Sequence, residues 1–235
     1  LIPRPGTADP VWYVAYGSNL CAARFRCYLA GGRPAGARRT YTGCRDQTLP
    51  TESAATVLPG GLVFAGRSTV WGGGMAFYDP ARGGGLAARA YLVRFGQLVD
   101  VVAQEIRHPV GSALVPGAEV GHGWALPSRV YETLLHVGHL DGLPMFTLTS
   151  LRDLQPRTPS VPYLRTVLDG LGETFGWTAE QRSDYLLGAP GVTPGWTARQ
   201  LRLVAETDDM AARDLSGTAI SSISGVREQN GGKTR

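Results

Sequence analysis

Six consecutive apolar, aromatic and β-branched residues, Val11 to Tyr16, stop abruptly at Gly17. A run of that kind predicts a buried strand ending in a tight turn. Ser18 and Asn19 follow as helix N-caps for a segment from Leu20 to Ala30, closed by Gly31 and Gly32. Residues 33–60 have no clear period and read as loop with short extended pieces. Short strands are predicted at Leu62 to Ala65, Met75 to Tyr78 and Ala90 to Phe95, separated by two clusters of three glycines. From Gln97 the apolar positions Leu98, Val101, Val102 and Ile106 take helical spacing up to Pro109, which puts Glu105 near a helix end. Tyr131 to Leu140 and Pro144 to Leu148 read as strands joined by Asp141-Gly142, a hairpin turn. Helices are predicted at Val161 to Phe175, Ala179 to Leu187 and Ala198 to about Arg213. Strands first and helices afterwards give an α+β domain. It is expected over residues 11–215, with a strand-rich part to about 150 and a helical part from about 158. An extended lead, 1–10, precedes it, and a Ser/Gly-rich flexible tail, 216–235, follows.

Composition narrows the classes. The 235 residues are 43% apolar and 18% charged, enough to bury a core and too little charge for a disordered polyelectrolyte. No run of 18 apolar residues occurs, so no spanning helix and no membrane partner is expected. The first ten residues lack the apolar stretch of a secretory signal. Cys21, Cys27 and Cys44 form an odd set without CxxC spacing, against both a disulfide framework and zinc. A cytoplasmic protein with free thiols is expected. Lys233 is the one lysine among 23 basic side chains, and seven arginines precede Asp46. Aromatics are not interleaved with them as a single-strand platform requires, so a solvated arginine face with one or two arginines aimed at a small anion is expected, and nucleic acid is not. His136 and His139 lie in a predicted strand and are expected to point to opposite faces, which disfavours a shared metal.

The stretch Tyr16-Gly17-Ser18-Asn19-Leu20 carries the most chemistry. Glycine after a buried strand permits a turn that a side chain would block, and the following helix start offers N–H groups to a carboxylate or carbonyl oxygen. As pattern alone it is equally ordinary capping. YGSNL at the end of an N-terminal strand resembles the signature loop of the γ-glutamylcyclotransferase-like family. Further segments fall in that family's order: Ser68 to Ala76 with its glycines, the strand Ala90 to Phe95, Asp100 followed by Gln104-Glu105, then Pro159-Ser160, Tyr163, Gly170 and Glu173. The resemblance extends from about Trp12 to Leu187.

That resemblance implies a small mixed β-barrel with surrounding helices. It also implies an enzyme that cleaves a γ-glutamyl amide by attack of the substrate's own α-amine, releasing 5-oxoproline and a free amine without cofactor or metal. Carried over residue by residue, Glu105 is the catalytic acid/base, and Tyr16, Gly17, Ser18, Asn19, Leu20 and Tyr163 bind substrate. The partner is a small γ-glutamyl molecule, and a homodimer is open. The chain departs from the family pattern after Glu105, where Ile106-Arg107-His108 stands in place of a glycine, and in the long Gly/Pro-rich segment 111–128. Two rival readings stand beside this one: a metabolite-binding module without chemistry, and a γ-glutamyl hydrolase or acyltransferase using Cys21 as nucleophile.

Overall fold

A computed structural model describes residues 4–112, 119–120 and 122–206. Elements follow in chain order: β1 (Pro10–Ala15), a 3-10 turn (Ser18–Leu20), α1 (Ala22–Ala30), β2 (Ser53–Pro59), β3 (Gly61–Ala65), β4 (Met75–Asp79), β5 (Gly85–Arg94) and α2 (Phe95–Glu105). The second half holds β6 (Glu119–Val120), β7 (Gly123–Ala125), β8 (Thr133–Leu140), β9 (Leu143–Thr149), α3 (Val161–Phe175) and α4 (Ala179–Leu187), and residues 198–206 are again helical. The tail 216–235, and the part of the last predicted helix beyond 206, lie outside the described residues.

Seven strands form one mixed sheet in the order β2-β5-β1-β9-β8-β7-β6. β1 sits inside it, antiparallel to β5 and parallel to β9. Both faces of β1 are buried, which is why it reads as an unbroken apolar run. Val11, Tyr13 and Ala15 pack with Phe25 and Leu29 of α1 and Val101 and Val102 of α2. Trp12, Val14 and Tyr16 pack on the other side with Leu164, Val167 and Leu168 of α3 and Phe64 of the β3-β4 hairpin. The hairpin is fastened to the sheet by side chains: Thr149 Oγ1 accepts from Tyr78 N at 3.1 Å and donates to Tyr78 O at 2.6 Å, and Tyr78 Oη donates to Pro59 O of β2 at 2.7 Å. This is the expected α+β class; among the described residues the strand pairing closes no barrel.

Several local expectations are corrected. Ser18 and Asn19 do not cap α1; the chain first makes the 3-10 turn, and Cys21 precedes the helix without a side-chain cap. Asn19 is buried and its amide is committed elsewhere, as described below. β2 was hidden in the aperiodic stretch because it is an edge strand of small, half-exposed residues that gains its hydrogen bonds from β5. β6 and β7 lie in the Gly/Pro-rich segment 111–128, for which the sequence predicts no element. The histidines also differ. A bulge between them, with Gly138 at φ 108°, breaks the two-residue alternation of β8, so the His136 and His139 rings stand 4.9 Å apart instead of on opposite faces. The hairpin turn is as predicted, with Asp141 at φ 49° and Gly142 at φ 76°. Among the described residues no helix is long and apolar enough to cross a membrane.

Asp100, on the buried face of α2, anchors the loop that leaves α1. Its carboxylate accepts from Arg45 N at 2.9 Å and Nε at 3.1 Å and from Gly111 N at 3.3 Å, and it pairs with Arg45 Nη2 at 3.0 Å. Only 2% of that side chain is exposed whereas Arg45 is 59% exposed, so loss of the carboxylate removes a buried charged acceptor of several hydrogen bonds and frees the loop. Asp100→Ala is expected to cost about 2 kcal/mol of folding stability, read by denaturant unfolding.

Candidate active site

The site lies at the C-terminal ends of the parallel strands β1 and β9. A cavity of about 280 Å3 opens there, lined among others by Tyr16, Gly17, Ser18, Asn19, Glu105 and Tyr163. Each of these reaches it for a local reason. Tyr16 ends β1 and gives its hydroxyl proton to the Leu148 carbonyl of β9, so its ring forms a fixed wall. Gly17 is a matter of space and not of backbone angle, since its φ is −110°. A β-carbon there would lie 2.9 Å from Tyr163 Oη and 3.1 Å from Ala76 Cβ. That absent side chain lets the Tyr163 hydroxyl, which accepts from Ala76 N at 3.0 Å, press against the loop.

α3 holds the loop from behind at three points. Besides Tyr163, Gly170 lets the helix approach so closely that a β-carbon would meet Leu20 Cβ and Cys21 N. Glu173 Oε2 accepts from Ala22 N at 2.9 Å and pairs with Arg89 at 3.1 Å, placing a carboxylate where the dipole of α1 favours one. The glycine run acts similarly: Gly74 N donates to Thr158 O at 2.8 Å, and Cβ atoms at Gly73 or Gly74 would strike the 157–160 backbone. Tyr163, Gly170 and Glu173 are therefore one clamp around the Gly17–Leu20 turn, and the glycine run fixes the segment that leads into α3.

α2 supplies the acid. The helix buries Leu98, Val101 and Val102, starts where Gln97 Oε1 accepts from Arg94 N at 3.0 Å, and delivers Glu105 at its last position, half-buried and facing the turn. A carboxylate among the free carbonyls of a helix C-terminus is unfavourable by about 0.3–1 kcal/mol. Local compensation comes from the turn, 86 residues away: Asn19 Nδ2 donates to Glu105 Oε1 at 3.2 Å and to Tyr13 Oη at 3.0 Å. Asn19 Oδ1 is buried without a partner among the described residues.

Aromatic hydroxyls surround the carboxylate. Burial, and after it the nearby Glu105 charge, pushes the Tyr13 and Tyr28 phenols well above their ordinary range. Tyr163 is pushed up to about 12, again by burial first, with backbone donors opposing. All three are neutral donors at physiological pH. Arg24 is 4% exposed, with Nη2 on the Tyr41 hydroxyl at 2.7 Å and the Tyr28 hydroxyl at 3.2 Å. Burial alone would lower its pKa, but Tyr28, Tyr41 and Glu105 outweigh that, so it stays charged.

Of the residues singled out from sequence, Glu105, Tyr16, Gly17, Ser18, Asn19 and Tyr163 meet at this cavity. Leu20 does not line it; fully buried, it packs in the core beneath the turn. Cys21 also lies off the lining, and burial pushes its thiol up to about 11. Sequence reasoning missed Arg24 and Tyr28, whose spacing of four on α1 puts them on one face next to the motif, and missed Tyr13 and Tyr131. The inward-facing register of Tyr13 was the available signal; for Tyr131 there was none.

No family model matches the chain. Histone deacetylase 5 of Arabidopsis thaliana is 27% identical over 200 residues, covering 75% of this chain; the chain spans 30% of the length of that relative. Among solved structures the chain is similar to a gamma-glutamyl cyclotransferase, at 15% identity over 85% of this chain and 99% of the other, with a TM-score of 0.48. It is similar at the same identity to an uncharacterized protein from Homo sapiens, covering 84% of this chain and 99% of the other at a TM-score of 0.47. YkqA from Bacillus subtilis is 18% identical over 70% of this chain and 49% of its own, at a TM-score of 0.41.

Proposed function

We propose that this chain is a γ-glutamylcyclotransferase-like enzyme that closes the γ-glutamyl group of a small amide into 5-oxoproline and releases the amine. One observation carries the reading: the Glu105 carboxylate, from the middle of the chain, is hydrogen-bonded to Asn19 of the Gly17–Leu20 turn inside one cavity. A solvated surface glutamate, as the binding-module reading requires, would have no such partner. The barrel implied by the family resemblance corresponds, in this reading, to the sheet with the β3-β4 hairpin fastened across it by Thr149.

The reaction needs a proton acceptor and then a donor at nearly the same point. Glu105 takes a proton from the substrate's α-ammonium, and the freed amine forms its bond to the γ-carbonyl carbon. As the tetrahedral centre collapses, the bond to the leaving nitrogen breaks and Glu105 returns its proton to that nitrogen; the second proton shed by the attacking nitrogen also ends on the leaving amine, which departs as an ammonium. No water is consumed and no net proton is lost. The unpartnered Asn19 Oδ1 suits the ammonium before attack, and the neutral tyrosine hydroxyls suit the oxyanion. A thiol nucleophile is disfavoured because Cys21 is held protonated and off the cavity.

Incubation with a panel of γ-glutamyl amines, followed by mass spectrometry, tests the reading: 5-oxoproline is the expected product, and glutamate would mean hydrolysis. Cys21→Ser is expected to leave turnover unchanged, measured in the same assay; loss of turnover there would restore the nucleophile reading.

A further inference from the structure

The mouth of the cavity carries charge that ring closure does not use. Arg24, Arg39, Arg67 and Arg107 line it, and Arg38 joins Arg39 and Arg107 around an adjoining depression of about 250 Å3. Among the described residues Glu105 is the sole carboxylate lining either space. Among the described residues none of the five arginines forms an ion pair with a carboxylate. Like charges converging on one opening repel each other, and low-dielectric walls focus the resulting field into the cavity. A surface face of solvated arginines would spread apart; this set surrounds a hole.

Two members are built at a structural cost. Arg24 is buried with Nε and Nη1 lacking a partner among the described residues, its guanidinium stacked 4.4 Å from both the Tyr28 and Tyr41 ring centres. A buried guanidinium with no hydrogen-bonded carboxylate is costly unless a ligand brings one. Arg107 adopts φ 63°, the left-handed region that favours glycine. It occupies the residue after the C-cap of α2, where His108 N donates to Ala103 O at 2.8 Å and Arg107 N to Gln104 O at 3.3 Å. Glycine is the ordinary occupant of that position. Retaining a strained arginine at the rim is what a role for its charge would require.

We propose that the leaving-amine end of the site takes an amine bearing at least two negative charges, as a phosphate ester or a dicarboxylate does. The inference rests on the cyclotransferase reading for the glutamyl end. A γ-glutamyl head is a zwitterion with no net charge, so Glu105 offsets one of the five arginines and four remain to face the leaving group. A singly charged amine would leave three of them without a counter-ion; a neutral amine would leave all four.

Three probes decide it with the full chain: γ-glutamyl-O-phosphoethanolamine, γ-glutamyl-aspartate and γ-glutamyl-ethylamine. Binding is measured by calorimetry at low and physiological ionic strength, and 5-oxoproline by mass spectrometry. At least one dianionic probe is expected to bind about tenfold or more tightly than the ethylamide, with the preference shrinking as salt rises. Arg107→Gly is expected to narrow the preference about tenfold without lowering Tm, because glycine relieves the backbone while the charge is lost. Equal binding of all three probes overturns the inference, even if every one is cyclised. Preferential binding of a dianion without lactam keeps the inference and overturns the cyclisation. If none binds, both fall. The ratio between the phosphate and aspartate probes identifies which anion the mouth fits.

Discussion

Glu105→Gln is expected to reduce 5-oxoproline formation by about 10²–10⁴-fold, the range lost when a positioned acid/base is removed. The substitution keeps the shape of the side chain and an oxygen able to accept from Asn19 Nδ2, now at 3.2 Å from Glu105 Oε1, so the cavity should survive. Binding of a γ-glutamyl amide by calorimetry and an unchanged thermal transition would separate lost proton transfer from lost structure. Retention of full turnover in the variant would rule out the mechanism, since among the described residues no other carboxylate lines the cavity.

Gly17→Ala should be nearly as damaging to activity for a different reason. The new methyl group would sit 2.9 Å from Tyr163 Oη and 3.1 Å from Ala76 Cβ, both buried, so the turn must move away from α3. Overpacking of this kind costs about 1–3 kcal/mol of stability. A shift of the turn carries Asn19 away from Glu105, and misplacement of about 1 Å at a reacting centre costs on the order of 10²-fold in rate. The phenol is the specific obstacle, which a double-mutant cycle can show: combined with Tyr163→Phe, Gly17→Ala should destabilise less than it does alone. Equal destabilisation in both backgrounds, by chemical unfolding, would mean that the Tyr163 hydroxyl is not what requires glycine.

The two variants act on opposite halves of the site, and those halves were not equally legible. β1, α3 and α4 could be read closely because each buries a strong apolar pattern that local spacing reports: Val11 to Tyr16 on two faces, Leu164, Val167, Leu168 and Leu171 along one helix stripe. β2 could not be read, since its small residues become a strand only through pairing with β5. The start of α1 was misread because Ser18 and Asn19 have capping chemistry in any sequence, and only the tertiary placement of Glu105 and Tyr13 claims the Asn19 amide for another use. The His136–His139 pair was misread because alternation assumes an unbroken ladder, and the bulge at Gly138 adds the residue that turns them together.

The amino-acid sequence alone determined the α+β class, the turn after β1 and the helix that ends at Glu105, because each depends on contacts between residues a few positions apart. The resemblance of short motifs pointed to Glu105 and Tyr163 without any geometry. What only the tertiary structure decided is their convergence: Asn19 against Glu105 across 86 positions, Tyr163, Gly170 and Glu173 closing on the turn from α3, and four arginines lining one cavity with a fifth at the depression beside it. The reason is physical. Local patterns record which face of an element is buried, whereas the charge and hydrogen-bonding environment of a buried carboxylate is set by whichever distant elements pack beside it.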